Sequence, residues 1–415
     1  MTRTLAKKLT EVKPGTLFVG TDLGHEENIA VVQSERGEWL GKFSFPHTRG
    51  GYDYLYRRMN HLMKRADASQ VIVGMEPTNY YWKLLVADLE AHGIEYHLVN
   101  AYTVKKHREG DQLDRSKDDT RDAYTIGGLS RNGKYTRTRL QRGGYAELRT
   151  CATLYHQLGG DLGRQKTLLR MKVGQAYPEL TQEFKDLTGL TARAMLRHHA
   201  CAAVIRGMAV EDFIAAVRAD FGGQRLMVSK LCRAHARAAI SVGLKEGVQT
   251  LQLSISVHLQ TLEMLESQLE EAEKALLDTF LTLPEAPYLL SVPELGIVSA
   301  ALILAEIGDP RHFTRVGQLI KLAGIQPTPN TSGRKSKSLT PMSGKGRPGL
   351  RTLAYFACLR LIQLDPGFAR RYRELQTRSK NPLNKMQAIG VLMNKLLRIL
   401  WALMKNQTFY NPAMI

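Results

Sequence analysis

Apolar and polar positions along the first hundred residues repeat with the short period of strands, then pass to the longer period of helices. After a polar arm over residues 1–13, Thr16 to Thr21 (TLFVGT) is a compact β-branched and aromatic run that ends at Asp22. Asn28 to Gln33 (NIAVVQ) predicts a second strand, Ser34-Glu35-Arg36-Gly37 a turn, and the alternation of Trp39 to Phe45 (WLGKFSF) a third strand. Tyr54, Leu55, Met59 and Leu62 stand at helical spacing between Gly50 and Lys64. Gln70 to Met75 (QVIVGM) reads as a short apolar strand ending at Glu76. A helix from Tyr81 to His92, a strand from Tyr96 to Val99 and helices through about Leu129 follow.

From about residue 145 the strand signals stop. Residues 145–250 read as helices, including the Ala-rich Arg233 to Gly243. Leu251 to Leu281 carries Leu259, Leu262, Leu265, Leu269 and Leu276 at spacings of three and four, interleaved with Glu263, Glu266, Glu270, Glu271 and Glu273. That pattern fits a coiled-coil seam or an antiparallel hairpin arm, and the Glu-dense face favours a seam that makes the protein an oligomer. Pro293-Glu294-Leu295-Gly296 is a tight turn into the apolar helix Ile297 to Ile307. Val316 to Ala323 is a helix stopped by Gly324, Ile325 to Pro348 a loop, and Leu350 to Leu364 and Lys385 to Met404 are long helices. The fold class is therefore α/β plus α. The strand and helix order of the first part, opening with a three-strand meander, points to an RNase H-like domain. The expected divisions are a flexible arm (1–13), a catalytic α/β domain (14–140), a helical linker or insertion (141–250), a coiled-coil helix (251–284) and a C-terminal helical domain (285–415).

Charge narrows the partners. Lys and Arg number 58 against 39 Asp and Glu, a net charge of +19. A surplus of that size, read as spread through folded sequence, favours a polyanion, because each neutralised phosphate releases counterions. Cys151, Cys201, Cys232 and Cys358 lack any zinc spacing and read as buried small side chains in a reducing compartment. The N-terminal MTRTLAKKLTEVK has no apolar core of a secretory signal. The longest near-apolar stretch, Ile297 to Ile307, is too short to span a bilayer. A cytoplasmic protein acting on nucleic acid, with no membrane partner, is expected.

Four carboxylates carry the candidate chemistry. Asp22 and Glu76 each follow a strand, at the edge where open α/β sheets place ligands. Asp119 and Asp122, three apart at the opening of a helix, project from one face. Four like charges brought together repel unless cations neutralise them, and carboxylate oxygens suit Mg²⁺ or Mn²⁺. Two such metals stabilise the attacking and leaving oxygens of a phosphodiester displacement. Capping alone accounts for an acid at a helix start, but not for Asp22 beside Gly24. An actin-like nucleotide-binding fold shares the strand–Asp–x–Gly opening, yet the further Gly-rich phosphate loops it needs are not found.

A second constellation lies far downstream. From Thr331 to Arg351 the chain carries six Lys or Arg (Arg334, Lys335, Lys337, Lys345, Arg347 and Arg351) and no acid, with glycines that admit a phosphate close to main chain. These six are the candidate nucleic-acid contacts. A hydroxyl here attacks phosphorus only if a base, Lys or metal activates it. Ser332, Ser336, Ser338, Thr340 and Ser343 are equivalent on that ground, with Lys335 and Lys337 as neighbours.

Taken in order, GTDLGHEENIAVV, VIVGMEPTNYYWKLLVADLEAHGIEYHLVNAYTVKKH and KDDTRDAYTIGGL near one end resemble the DEDD-type transposases of insertion-sequence family one-hundred-and-ten, relatives of the Piv-type DNA invertases. LLSVPELGIVSAALILAEIGDPRHF, GQLIKLAGIQPTPNTSG and SGKGRPGLRTLAYFA near the other end carry the same resemblance. It implies a RuvC-like catalytic domain whose acidic tetrad is Asp22, Glu76, Asp119 and Asp122, and a nucleophilic serine at Ser332 that forms a covalent DNA intermediate. It also implies a C-terminal transposase domain with a helix-hairpin-helix-like element, a homo-oligomer (dimer or tetramer), donor and target DNA, and a structured guide (bridge) RNA. The family's Pro-Gly-Ile-Gly is Pro293-Glu294-Leu295-Gly296 here, and Asp118 adds an acid beside Asp119. A stand-alone RuvC-like structure-specific or Holliday-junction nuclease is the competing enzyme, and a non-catalytic nucleic-acid scaffold the competing non-enzyme.

Overall fold

The computed structural model describes residues 8–78, 80–111, 118–136, 140–223, 225–328, 331–332, 335–336 and 341–412. Two compact units emerge, Met1–Leu140 and Gln141–Ile415.

In the first unit, β1 (Thr16–Leu23), β2 (Asn28–Gln33), β3 (Trp39–Phe45), β4 (Gln70–Met75) and β5 (Glu95–Leu98) form a mixed sheet in the order β3-β2-β1-β4-β5. The meander β1–β2–β3 is antiparallel, whereas β1–β4 and β4–β5 are parallel. Between them run α1 (Arg49–Arg65), α2 (Tyr81–Ala91), α3 (Ala101–Asp111) and α4 (Asp119–Arg131). Helix α1 starts where the Thr48 side chain accepts a hydrogen bond from the Gly51 N–H, and it buries Leu55, Met59 and Leu62. Those side chains join Leu17, Val19 and Leu23 of β1, Val73 and Met75 of β4, and Leu85 and Leu89 of α2 in one core. Strand β1 runs two residues further than its apolar run predicts. Asp22 pairs with Ile29 and therefore lies inside the strand rather than beyond it. Strand β5 begins one residue earlier than expected.

The second unit is built on a helix pair, α5 (Gly144–Ala176) and α11 (Val248–Leu281). They run antiparallel: Tyr145 Oη donates to the Glu285 carboxylate at 2.8 Å, Cys151 stands by Thr279, and Gln165 Nε2 donates to the His258 carbonyl at 3.2 Å. Between them lie α6 (Leu180–Glu183), α7 (Leu190–His198), α8 (Ala202–Ile205), α9 (Val210–Ala219) and α10 (Val228–Ala238). Leu259 and Leu262 of α11 pack with Leu169 and Val173 of α5 and with Met195, Phe213 and Leu231 of this insert. Leu259 and Leu262 of the expected seam are thus covered from within the chain, as in a hairpin arm, while Leu269 stays half-buried. Two of the glutamates expected to face water are paired instead, Glu266 with Arg193 and Glu263 with Arg197, at 2.7 Å each.

A second core gathers Leu276 and Phe280 with α12 (Ala286–Leu290), α13 (Ile297–Ile307), α14 (Val316–Ala323), α15 (Pro348–Leu364), α16 (Pro366–Thr377) and α17 (Lys385–Asn406). Helix α16 was not expected, because its arginines mask its few apolar positions. It starts where Asp365 accepts from the Phe368 N–H, and it buries Phe368 and Leu375. Among the described residues helix α17, not Ile297–Ile307, is the helix long and apolar enough to cross a bilayer, yet Leu392, Leu396, Leu397 and Leu400 are buried in this core. The cysteines also divide: Cys201 and Cys358 are buried and Cys151 is half-buried, but Cys232 is exposed, so only part of the set behaves as core.

Candidate active site

The acidic residues of the first unit are arranged by the way α4 lies on the sheet. Leu17, Val19 and Leu23 point to the α1–α2 side, so Gly20 and Asp22 point to the other. On that side a Cβ added to Gly20 would stand 1.9 Å from the Ala123 carbonyl oxygen, and one on Gly74 3.1 Å from the Ser130 Cβ. Helix α4 therefore rests directly on the two glycines of adjacent parallel strands. The last paired step of those strands is Thr21–Met75, and Asp22 and Glu76 are the next residues along each. Adjacent strands run about 4.8 Å apart. Asp22 and Glu76 are half-buried, and Asp122, beside Ala123 on α4, is 7% exposed. Asp119 is exposed in the first turn of the same helix. Asp118 has a different task. It is the N-cap of α4, its carboxylate accepting from the Thr120 N–H at 3.0 Å.

Among the described residues no group of three or more His, Cys, Asp or Glu side chains stands close enough together to hold a metal ion. The donor chemistry nonetheless fits Mg²⁺, which keeps several waters and takes one or two carboxylates plus substrate phosphates rather than an all-protein cage. Asp22, Glu76, Asp119 and Asp122 are the residues that would hold it. What sequence reasoning missed was the seat, namely Gly20, Gly74 and Gly127. A Cβ on Gly127 would meet the Gln33 amide at 2.7 Å. The signal was a glycine in the middle of each of two apolar strands, which marks close backbone approach.

In the second unit the expected loop is a ribbon. Pro327 and Met342 form an antiparallel bridge, Thr328 N–H donates to the Pro341 carbonyl and Ser343 N–H to that of Gln326, each at 2.9 Å. Further out, β6 (Thr331–Ser332) pairs with β7 (Lys335–Ser336), and the register sets Ser332 opposite Lys335. Arg334 and Lys337, two of the expected phosphate contacts, lie outside the described residues. Lys345 is exposed. Arg347 and Arg351 turn inward. Arg351 Nη1 donates to the carbonyls of Ala323 and Gly344 at 3.1 and 3.3 Å, tying the end of α14 to the ribbon. Arg347 Nη1 donates to the Glu306 carbonyl and stands 3.9 Å from its carboxylate, whose other oxygen lies 2.7 Å from Arg149. Burial, with Arg149 alongside, lowers the pKa of the Arg347 guanidinium. These two arginines fasten the base of the ribbon.

Ahead of α13 the turn holds Glu294 at φ +64°, in the left-handed region that favours glycine. Its carboxylate meets Arg360 at 3.3 Å. Charge, too, is less evenly spread than its total implies. Between Arg311 and Ile415 nineteen Lys or Arg face two acids, Asp365 and Glu374, so this stretch carries +17 of the chain's +19.

The architecture defines a class: an α/β unit with acids at the ends of adjacent parallel strands, followed by a basic helical unit. Comparison with known proteins then gives the family. A DEDD transposase model of the IS110 type matches residues 19–178, through the end of α5, and a model described as the transposase IS116/IS110/IS902 family matches residues 286–373. Together they cover more than half of the chain, which belongs to this transposase family. A candidate transposase of the IS117 mini-circle from Streptomyces coelicolor is 26% identical over 77% of this chain and 78% of its own length. The 42 kDa protein of insertion element IS900 from Mycobacterium paratuberculosis is 29% identical over 36% of the chain, and the 43.6 kDa protein of IS110 from Streptomyces coelicolor 30% identical over 32%. These last two alignments span only about a third of the relatives' own length (37% and 31%).

Proposed function

We propose that this protein is an insertion-sequence transposase that cuts and rejoins DNA, using an acidic metal site and a serine nucleophile. The observation that carries the reading is the placement of Asp22 and Glu76 at neighbouring parallel-strand ends, on the face to which α4 brings Asp122, in a chain of this family. The sheet order supports an RNase H-like, RuvC-like catalytic domain over 14–140, with the helical regions 141–250, 251–284 and 285–415 following it in the sequence. Asp22, Glu76, Asp119 and Asp122 would hold Mg²⁺ or Mn²⁺, which would supply charge neutralisation at the scissile phosphate. Asp118, already used as a cap, is not the third acid.

Ser332 is the nucleophile. Its Oγ forms a bond to phosphorus as the P–O bond to the leaving strand breaks; the serine proton passes to a base and the leaving oxygen is protonated. Lys335, opposite Ser332 in the register, is the nearest basic residue by pairing. Rejoining reverses the exchange on a second DNA end. A guide RNA pairs with donor and target DNA, and copies of the chain assemble on them; the basic C-terminal stretch supports a polyanionic load.

The test is incubation with a donor minicircle, target DNA and flanking-element RNA in Mg²⁺. A phosphoserine–DNA adduct at Ser332, lost in Ser332→Ala, is expected. Free hydroxyl ends without an adduct, persisting in Ser332→Ala, would identify a plain nuclease instead.

A further inference from the structure

The second unit holds a cavity of about 1370 Å³ that none of the chemistry above uses. One wall is the ribbon leading to Ser332, through Pro327, Pro341 and Met342; the floor is α17, and the far side is the segment after it, Thr408 to Asn411. Met342 is laid over α17 at Gly390, where a Cβ would stand 2.2 Å from its methyl carbon. The volume exceeds the about 300–1,000 Å³ usual for small-molecule sites, so a length of chain fits it better than a metabolite.

The lining is of three kinds. Phe409 and Met386 are large apolar side chains left 67% and 61% exposed, and Val391 is exposed beside them. Amides are frequent in the lining, among them Asn381, Asn394 and Asn406, and no Asp or Glu lines the cavity among the described residues. Lys395 and Arg398 supply the charge, and neither meets a carboxylate among the described residues. Arg398 is already oriented: its Nε donates to Asn394 Oδ1 at 2.7 Å, which leaves the two terminal nitrogens of the fork to other acceptors.

Apolar and aromatic faces stack unpaired bases, amides match base edges, and cations follow a phosphate backbone. A duplex hides its base faces and gains nothing from exposed Phe409 and Met386. A second copy presenting this same face would bring its own uncompensated cations. Resting on the nucleic-acid reading above, we propose that this cavity takes a single-stranded segment of DNA or RNA, its bases against Phe409, Met386 and Val391 and its phosphates toward Lys395 and Arg398. The site holds that segment beside the ribbon carrying Ser332.

The experiment uses the full chain, with short single-stranded DNA, single-stranded RNA and duplex DNA of one sequence, read by fluorescence anisotropy and by photocrosslinking through iodouracil. Phe409→Ala and Arg398→Glu alter exposed side chains, so folding is retained, and circular dichroism checks it. Expected are crosslinks within residues 381–411 and a loss of single-strand affinity of about fivefold or more for Phe409→Ala. Arg398→Glu should lose about tenfold and show a shallower salt dependence, while duplex binding stays unchanged in Phe409→Ala. The tighter of the two single strands names the source. Crosslinks elsewhere, no single-strand binding, or variants that bind like the parent overturn the proposal. So does a dimer in sedimentation that Phe409→Ala dissolves while strand binding is untouched. An adduct at Ser332 with an unlabelled cavity sinks this inference alone; a labelled cavity without the adduct sinks the serine chemistry alone.

Discussion

Gly20 of β1 lies directly against the Ala123 carbonyl of α4, so close that a methyl group on the glycine would stand 1.9 Å from that oxygen. The contact fixes where α4 crosses the sheet, and so sets Asp122 on the face that also carries Asp22. Gly20→Ala must push the helix away, and the overpacking costs about 1–3 kcal/mol. Gly50, at the start of α1, has nothing within 4 Å of the same added atom. Urea unfolding of the two alanine variants should show a lower midpoint for Gly20→Ala and none for Gly50→Ala. Equal midpoints would mean α4 is not seated on the glycine.

On the proposed reading, the acids of α4 separate by task. Asp118→Ala removes an N-cap and should cost about 1 kcal/mol of stability while metal-dependent cleavage survives. Asp122→Asn keeps shape but loses charge. It should lower cleavage by more than the about 10–100-fold typical of groups one step removed from a metal, with unfolding nearly unchanged. Full activity in Asp122→Asn, or its loss in Asp118→Ala, would reverse the assignment.

Glu306 is buried between two arginines, and its Oε2 accepts no hydrogen bond among the described residues. Arg347→Ala leaves that carboxylate with Arg149 alone. Both guanidinium groups are about a third exposed, which softens the penalty to about 1–3 kcal/mol. Lys345→Ala, on the exposed side of the same turn, should stay within about 0.5 kcal/mol. A thermal-denaturation comparison checks this; equal losses would return Arg347 to the surface role its sequence context implies.

Glu183 ties the insert together, receiving Arg233 Nε and Arg237 Nε at 2.7 Å each. The Arg233 hydrogen bond, then that of Arg237, holds its pKa below the ordinary 4.5 despite burial. A depressed carboxylate pKa stabilises the fold fully above the unfolded value and loses that contribution as pH falls through the folded one. Melting temperature should therefore drop as pH is lowered below about 4.5, and Glu183→Gln should flatten that part of the profile. A profile of unchanged steepness in Glu183→Gln would show that other carboxylates govern acid unfolding.

Much of the first unit was legible because its strands announce themselves locally. Asn28–Gln33, Trp39–Phe45 and Gln70–Met75 fall where their alternation or β-branched runs place them. Helix α16 was not legible, because arginines at Arg370, Arg371 and Arg373 obscure a face that only Phe368 and Leu375 bury. The candidate acids could be named from strand ends and from the spacing of three on α4. That Asp118 is the cap could not, since Asp118 and Asp119 are alike until the helix start is fixed by a hydrogen bond.

The sequence by itself determined most of the elements, the two carboxylates at the ends of apolar runs, the basic excess and the family resemblance, because each depends on residue type and local spacing. Tertiary structure decided what those residues face. It packed Leu259 and Leu262 of α11 with Leu169 and Val173 of α5, and brought Arg347 and Arg351 to main-chain carbonyls. It also set Asp22 and Asp122 on one side of the sheet. Each of those outcomes rests on contacts between residues far apart in the chain, whose pairing is chosen by shape and burial rather than by spacing along it.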